Sequence, residues 1–227
     1  MKKSVVIFDY GFGNVRSCER AFLEIGCAAE ITNDYQKSLN CDLLVVPGVG
    51  AFGSCLNGLK KASGDQIIEQ RLKSGKPIFG ICVGFQILFQ EGTENIESGD
   101  LPIKGLGYFE GTVGELSLSV VPHMGWNTVF RSGNSVNNSA DSLELNKEQN
   151  NEQNRNLGYF YFVHSYGVQK KDFGNNINVF ITKQDGCEFI SAIADKARKI
   201  YGTQFHPEKS GENGLKFLKK LVADITS

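Results

Sequence analysis

Three stretches of the chain are apolar without interruption: Val5-Val6-Ile7-Phe8, Leu43-Leu44-Val45-Val46-Pro47 and Ile78-Phe79-Gly80-Ile81-Cys82. Continuous rather than alternating hydrophobicity predicts strands buried on both faces. Between them the period changes. Val15, Cys18, Ala21, Phe22 and Ile25 recur at helical spacing and stop at Gly26. A strand near Ala28 to Ile31 follows. Leu56, Leu59, Ile67, Ile68 and Leu72 predict a helix leading into the third apolar run. Strands alternating with helices predict an α/β chain with a mostly parallel central sheet flanked by helices.

After Gly92 the character changes to short, glycine-rich strands up to about Trp126. Val179 to Thr182 and Phe189 to Ala194 flank Asp185-Gly186. That pattern predicts an antiparallel hairpin, an added antiparallel portion of sheet. Leu215, Phe217, Leu218, Leu221 and Val222 predict a closing helix. Residues 131–157 are rich in Asn, Ser, Gln and Glu, which predicts a flexible surface loop. The 227 residues fit a single domain spanning 1–227.

Composition narrows the function. Hydrophobic residues make up 41% and charged residues 22%, with a formal net charge of -1. That balance gives no electrostatic reason to expect nucleic acid or an acidic membrane surface. The apolar runs are far too short to span a bilayer. The start, Met1 to Phe8, meets Asp9 with no small-residue cleavage site after it, so it reads as a first core strand. Six cysteines in a chain of this size, without C-x-x-C spacing, read as reduced thiols in the cytoplasm. No metal site is expected. Gly11-Phe12-Gly13-Asn14-Val15-Arg16 carries Arg16 where a dinucleotide fingerprint needs its third glycine, so no cofactor is expected either.

The chemistry centres on Gly80-Ile81-Cys82-Val83-Gly84, which follows a strand and precedes the apolar run Phe85-Gln86-Ile87-Leu88-Phe89, read as a helix. This is a G-x-nucleophile-x-G elbow with Cys in place of Ser. A lone cysteine is ordinarily a buried packing residue. A packing cysteine, however, does not need a glycine on either side. At a helix N-terminus the dipole favours thiolate, and the backbone N–H of Val83 points at a developing oxyanion. A thiol nucleophile needs a base, and the chain has three histidines. In His206-Pro207-Glu208, extended backbone turns residues two apart to one side, so Glu208 can orient the imidazole of His206. Alone, that tripeptide reads more readily as a surface turn. Together with the elbow it makes a Cys-His-Glu triad. The glycine-rich run Pro47-Gly48-Val49-Gly50-Ala51-Phe52-Gly53 stands at the C-terminal edge of a parallel strand, where open α/β sheets hold their sites. It reads either as a plain turn or as the source of a second oxyanion N–H.

These segments resemble the class I (triad) glutamine amidotransferases, and more narrowly the glutaminase subunit of imidazole glycerol phosphate synthase. The likeness also takes in Asp9 to Asn14, Tyr161-Phe162-Val163-His164-Ser165-Tyr166 and Gln204 to Ser210, and its narrower part rests on Pro47 to Gly53 and Pro122-His123-Met124-Gly125-Trp126-Asn127. The resemblance implies a flavodoxin-like fold and hydrolysis of glutamine through a thioester on Cys82. It implies oxyanion donors at Gly50 and Val83, and glutamine held by Gln86 and by the backbone of His164, Ser165 and Tyr166. It also implies a (β/α)8-barrel synthase partner that takes the ammonia, with Asn14, Trp126 and Lys209 near the interface. Trp126 as ordinary core and Lys209 as a solvated charge remain open readings. A paralogous group supplies ammonia for amidino-sugars of bacterial surface polysaccharides. Tyr108-Phe109-Glu110-Gly111 and the Asn-rich stretch are the segments that leave that acceptor open. A stand-alone Cys hydrolase and a non-catalytic regulatory partner are the other readings.

Overall fold

The computed structural model describes residues 2–97, 99–132, 156–171, 173 and 177–225. The apolar runs form β1 (Ser4–Phe8), followed by α1 (Val15–Glu24), β2 (Ala28–Thr32), α2 (Tyr35–Asn40) and β3 (Leu43–Gly48). Then come α3 (Phe52–Lys61), α4 (Gly64–Lys73), β4 (Ile78–Cys82) and the single turn α5 (Val83–Gln86). Short strands follow: β5 (Phe89–Gly92), β6 (Ile103–Lys104), β7 (Phe109–Glu115), β8 (His123–Arg131), β9 (Asn156–His164) and β10 (Tyr166–Gly167). The chain closes with β11 (Asn178–Gln184), β12 (Cys187–Asp195), β13 (Ile200–Thr203), a 3₁₀ turn at Pro207–Lys209 and α6 (Gly211–Ile225).

Nine strands make one sheet in the order β2-β1-β3-β4-β13-β12-β11-β8-β9. From β2 to β13 the pairings are parallel, and from β13 to β9 they are antiparallel. A second sheet of four short strands runs β10-β7-β5-β6. The predicted α/β fold with a parallel centre and an antiparallel extension is therefore what the chain adopts. Every residue of β3 and β4 is buried, as their unbroken hydrophobicity requires. The Asp185-Gly186 hairpin joins β11 to β12 as expected.

Three helix readings need correction. The single helix through Leu56 to Leu72 is two, α3 and α4, because Ser63 adopts left-handed backbone (φ 57) between them. The five-residue helix Phe85 to Phe89 is one turn, Val83–Gln86. Beyond it the Leu88 carbonyl accepts the N–H groups of Tyr108 and Phe109, and Phe89 enters the second sheet. Tertiary pairing there overrides helical periodicity. α2 was invisible to apolar spacing. It begins where the Asp34 side chain accepts the Lys37 N–H (2.7 Å), and its end is gripped by the buried Arg71, whose Nη1 donates to Ser38 O (2.8 Å) and Cys41 O (3.1 Å). Of the Asn-rich stretch, Arg131 ends β8 and Asn156 and Leu157 begin β9, while 133–155 lie outside the described residues.

Strand register sets the site. Gly48 of β3 pairs with Cys82 of β4, and Ile81 pairs with Thr203 of β13. Three adjacent strands thus end side by side. One end leads into the Val49–Gly53 loop, one into the elbow, and one into Gln204 and His206.

Candidate active site

Cys82 is 3% exposed and holds φ 55 and ψ -113. Positive φ at a non-glycine residue stores strain of order 1–3 kcal/mol. The elbow pays that cost through interlocked glycines. A Cβ on Gly84 would sit 1.8 Å from Val46 O, one on Gly80 2.6 Å from Gly84 O, and one on Gly48 2.4 Å from Gly84 N. Only bare backbone lets β3, β4 and α5 approach this closely. Both flanking glycines of the motif are thus accounted for. Gly48 completes the set, and its role was not read from the sequence.

His206 lies at the mouth of the 3₁₀ turn, with its backbone N–H on Tyr161 O (2.9 Å). Its Nδ1 and Glu208 Oε1 are 2.8 Å apart, and both side chains are almost fully buried. Burial disfavours the charged ring, but Cys82 and Glu208 outweigh it and hold the imidazole up to about 10. Among the described residues, the Nε2 of His206 and the Oε2 of Glu208 are buried with no hydrogen-bond partner. Cys82 nevertheless stands close enough to act on the charge of the His206 ring, and resting catalytic hydrogen bonds are commonly loose.

A cavity of about 490 Å³ opens onto this group. It is lined by Gly50, Cys82, Val83, Gln86 and His206, with His164, Ser165 and Tyr166 on the far wall. Glu208 stands behind His206. Gly50 carries φ 101 and a Cβ there would meet nothing. Tyr10 Oη donates to Pro47 O (2.6 Å) and Cys55 Sγ to Val49 O (3.2 Å), so carbonyls on both sides of Gly48 are anchored.

Gln86 is buried, and its Nε2 donates to Tyr166 O (2.8 Å) and Gln204 Oε1 (3.0 Å). The imidazole of His164 is committed to structure: Nδ1 bonds Tyr166 O (3.0 Å) and Nε2 bonds His123 Nδ1 (3.1 Å). Burial lowers it most, the Tyr166 carbonyl raises it, and the like charges of His123 and His206 lower it further, leaving it at about 3. It is therefore neutral at ordinary pH. Glu94 also lines the cavity, and its Oε2 accepts the Phe52 N–H (2.6 Å). Sequence pattern gave no reason to select it, since nothing local marks a carboxylate on a turn as facing a site.

Asn14, Trp126 and Lys209 are outside the cavity lining. Asn14 precedes α1 and is half-buried, and Lys209 is exposed. Trp126 is 56% exposed, beside Tyr161 (ring centroids 6.2 Å apart), and the similarly exposed Met124 shares its strand. The core reading of Trp126 is thereby excluded. Among the described residues, no group of three or more His, Cys, Asp or Glu is arranged to hold a metal ion. No described helix is long and apolar enough to cross a membrane.

The chain is 45% identical to the imidazole glycerol phosphate synthase subunit HisH of Streptomyces coelicolor, over 98% of this chain and 94% of that protein. It is 40% identical to the subunit of the same name in Bifidobacterium longum, over 98% and 99%. Among solved structures, PurLQS from Thermotoga maritima superposes with a TM-score of 0.66 at 20% identity, over 99% of each chain, a likeness of fold alone. The family described as glutamine amidotransferase class-I matches residues 6–225, and the chain belongs to it.

Proposed function

We propose that this chain is the glutaminase subunit of an imidazole glycerol phosphate synthase, hydrolysing glutamine through Cys82, His206 and Glu208. The observation that carries the reading is the buried His206–Glu208 pair, with an unpartnered Nε2 beside a strained cysteine on the cavity floor. The names of the relatives support the histidine pathway over the surface-sugar alternative.

The steps follow from the groups present. Cys82 gives its proton to His206 Nε2, whose raised affinity holds it there, and Sγ then bonds to the side-chain amide carbon of glutamine. The oxygen that gains charge is met by backbone N–H groups of Val83 and Gly50. The C–N bond then breaks, and His206 returns its proton to the leaving ammonia. Water attacks the thioester with His206 as base, the C–S bond breaks, and glutamate leaves. Glu208 orients the ring throughout. Gln86 and the backbone of His164, Ser165 and Tyr166 hold the substrate, and the carboxylate of Glu94 matches the ammonium of an amino acid.

Ammonia passes to a (β/α)8-barrel synthase subunit that docks on the face carrying Asn14, Trp126 and Lys209. The test is glutamate release by the full chain, with and without the barrel subunit of imidazole glycerol phosphate synthase. The reading expects slow hydrolysis alone, a large rise with the barrel, and imidazole glycerol phosphate as product. Cleavage of peptides with no action on glutamine would favour a stand-alone Cys hydrolase.

A further inference from the structure

The sulfur of Cys82 has a second neighbour that the triad does not use. Gln204 lies one residue beyond β13, 1% exposed, with its backbone N–H on Ser191 O (2.8 Å). Its Nε2 is 3.7 Å from Cys82 Sγ, within range of a hydrogen bond to sulfur. Gln204 is not among the residues lining the cavity, so it reaches the sulfur from within the protein.

The orientation of its amide is fixed by chemistry. Tyr166 O is a carbonyl and can only accept, so the atom of Gln86 on it, 2.8 Å away, is the nitrogen. That same nitrogen gives its other hydrogen to Gln204 at 3.0 Å, so the Gln204 atom there is the oxygen. The nitrogen of Gln204 is then the atom facing Cys82. The polarity holds further back as well. His164 Nδ1 donates to Tyr166 O, leaving its Nε2 to accept from His123 Nδ1, and His123 Nε2 to accept from Asn127 Nδ2 (3.2 Å). Every link is buried or half-buried, and Tyr166 O accepts from both sides, from Gln86 Nε2 and from His164 Nδ1.

We infer that Gln204 is a further catalytic residue: its side-chain N–H, aimed by Gln86 and Tyr166 O, stabilises the Cys82 sulfur whenever it carries negative charge. An amide nitrogen has no lone pair free to take the thiol proton, so that proton goes to His206 Nε2. When the thioester C–S bond breaks, the bonding electrons return to sulfur and the same N–H meets them. A hydrogen bond to the charged form favours that form. Gln204 therefore acts in forming the nucleophile and again in releasing it. The inference rests on Cys82 being the nucleophile.

The test is alkylation of Cys82 by iodoacetamide in the full chain, followed across pH by mass spectrometry of the Cys82 peptide. Gln204→Met keeps the length and removes the donor. It is expected to move the rate profile to higher pH, lowering the rate at pH 7 about tenfold while the high-pH plateau stays. Glutamine hydrolysis should lose about tenfold in kcat with a smaller change in KM, since Gln204 touches the sulfur itself and the cavity only through Gln86. Gln204→Asn, which draws the donor back by one methylene, should shift the profile in the same direction and covers the case in which the Met variant does not fold. An unshifted profile, or a rate lowered equally at every pH, overturns the inference. Glutamine hydrolysis surviving in Cys82→Ala instead overturns the reading beneath it.

Discussion

The elbow at Cys82 and the loop that follows β3 are both rich in glycine and wall the same cavity, yet their glycines answer different demands. At the elbow the glycines are required by packing. The Cβ positions of Gly48, Gly80 and Gly84 are already occupied by backbone of a neighbouring element. At Gly50 the surroundings are open and only the dihedral, φ 101, asks for glycine. The neighbouring Val49 is 40% exposed. One wall is thus a rigid mount for a strained cysteine. The other is held at Val49 O by Cys55 Sγ, while Gly50 itself has open space around it. A site that must hold sulfur still while an oxyanion donor is set beside it has use for both.

That contrast can be broken by exchanging one methyl group at each place. In Gly84→Ala the new carbon on α5 meets Val46 O, and β3, buried along its whole length, cannot retreat. The expected loss is ~3 kcal/mol or more, read as a lower denaturation midpoint or as failure to fold. An unchanged midpoint would mean that the elbow is not interlocked. Gly50→Ala adds a carbon to open space at a left-handed φ. Stability should fall by only about 1–2 kcal/mol, with a larger proportional fall in glutamine hydrolysis, because the strained loop moves its N–H. Equal stability losses at the two positions would erase the distinction.

The far wall sharpens it further. His164 is buried neutral and pushed down to about 3, from an ordinary value of 6.5. A depressed pKa means that the unfolded chain binds the proton more readily. Its stabilising contribution is therefore full above about pH 6.5 and is lost as pH falls toward 3. The loss should be on the order of a few kcal/mol across that window, and it should flatten in His164→Gln. A stability curve with the same acid slope in both proteins would place the titration elsewhere.

Much of this was legible in the sequence, because the strongest signals are also the most physically constrained. Unbroken apolar runs have few folds open to them, and they became β1, β3 and β4. A glycine on each side of a cysteine encodes close backbone approach, and that approach is present. What escaped reading depends on distant partners. The elbow helix stops after one turn because Leu88 O is claimed by Tyr108 and Phe109. Gly48 matters through α5, Glu94 through the cavity it faces, and Gln204 through the amide of Gln86. Ser63 breaks a helix that apolar spacing carries straight through. None of these partners is visible in a window of neighbouring residues.

The central claim is that Cys82 is the nucleophile and His206 its base. The most direct measurement is glutamate release by Cys82→Ala in the presence of the barrel subunit, with folding and partner binding checked alongside. The account predicts that hydrolysis disappears while both checks remain normal, and that His206→Asn loses almost as much, because members of a triad act as a unit. Glutamate release near the parent rate in a folded, partner-bound Cys82→Ala protein would contradict it.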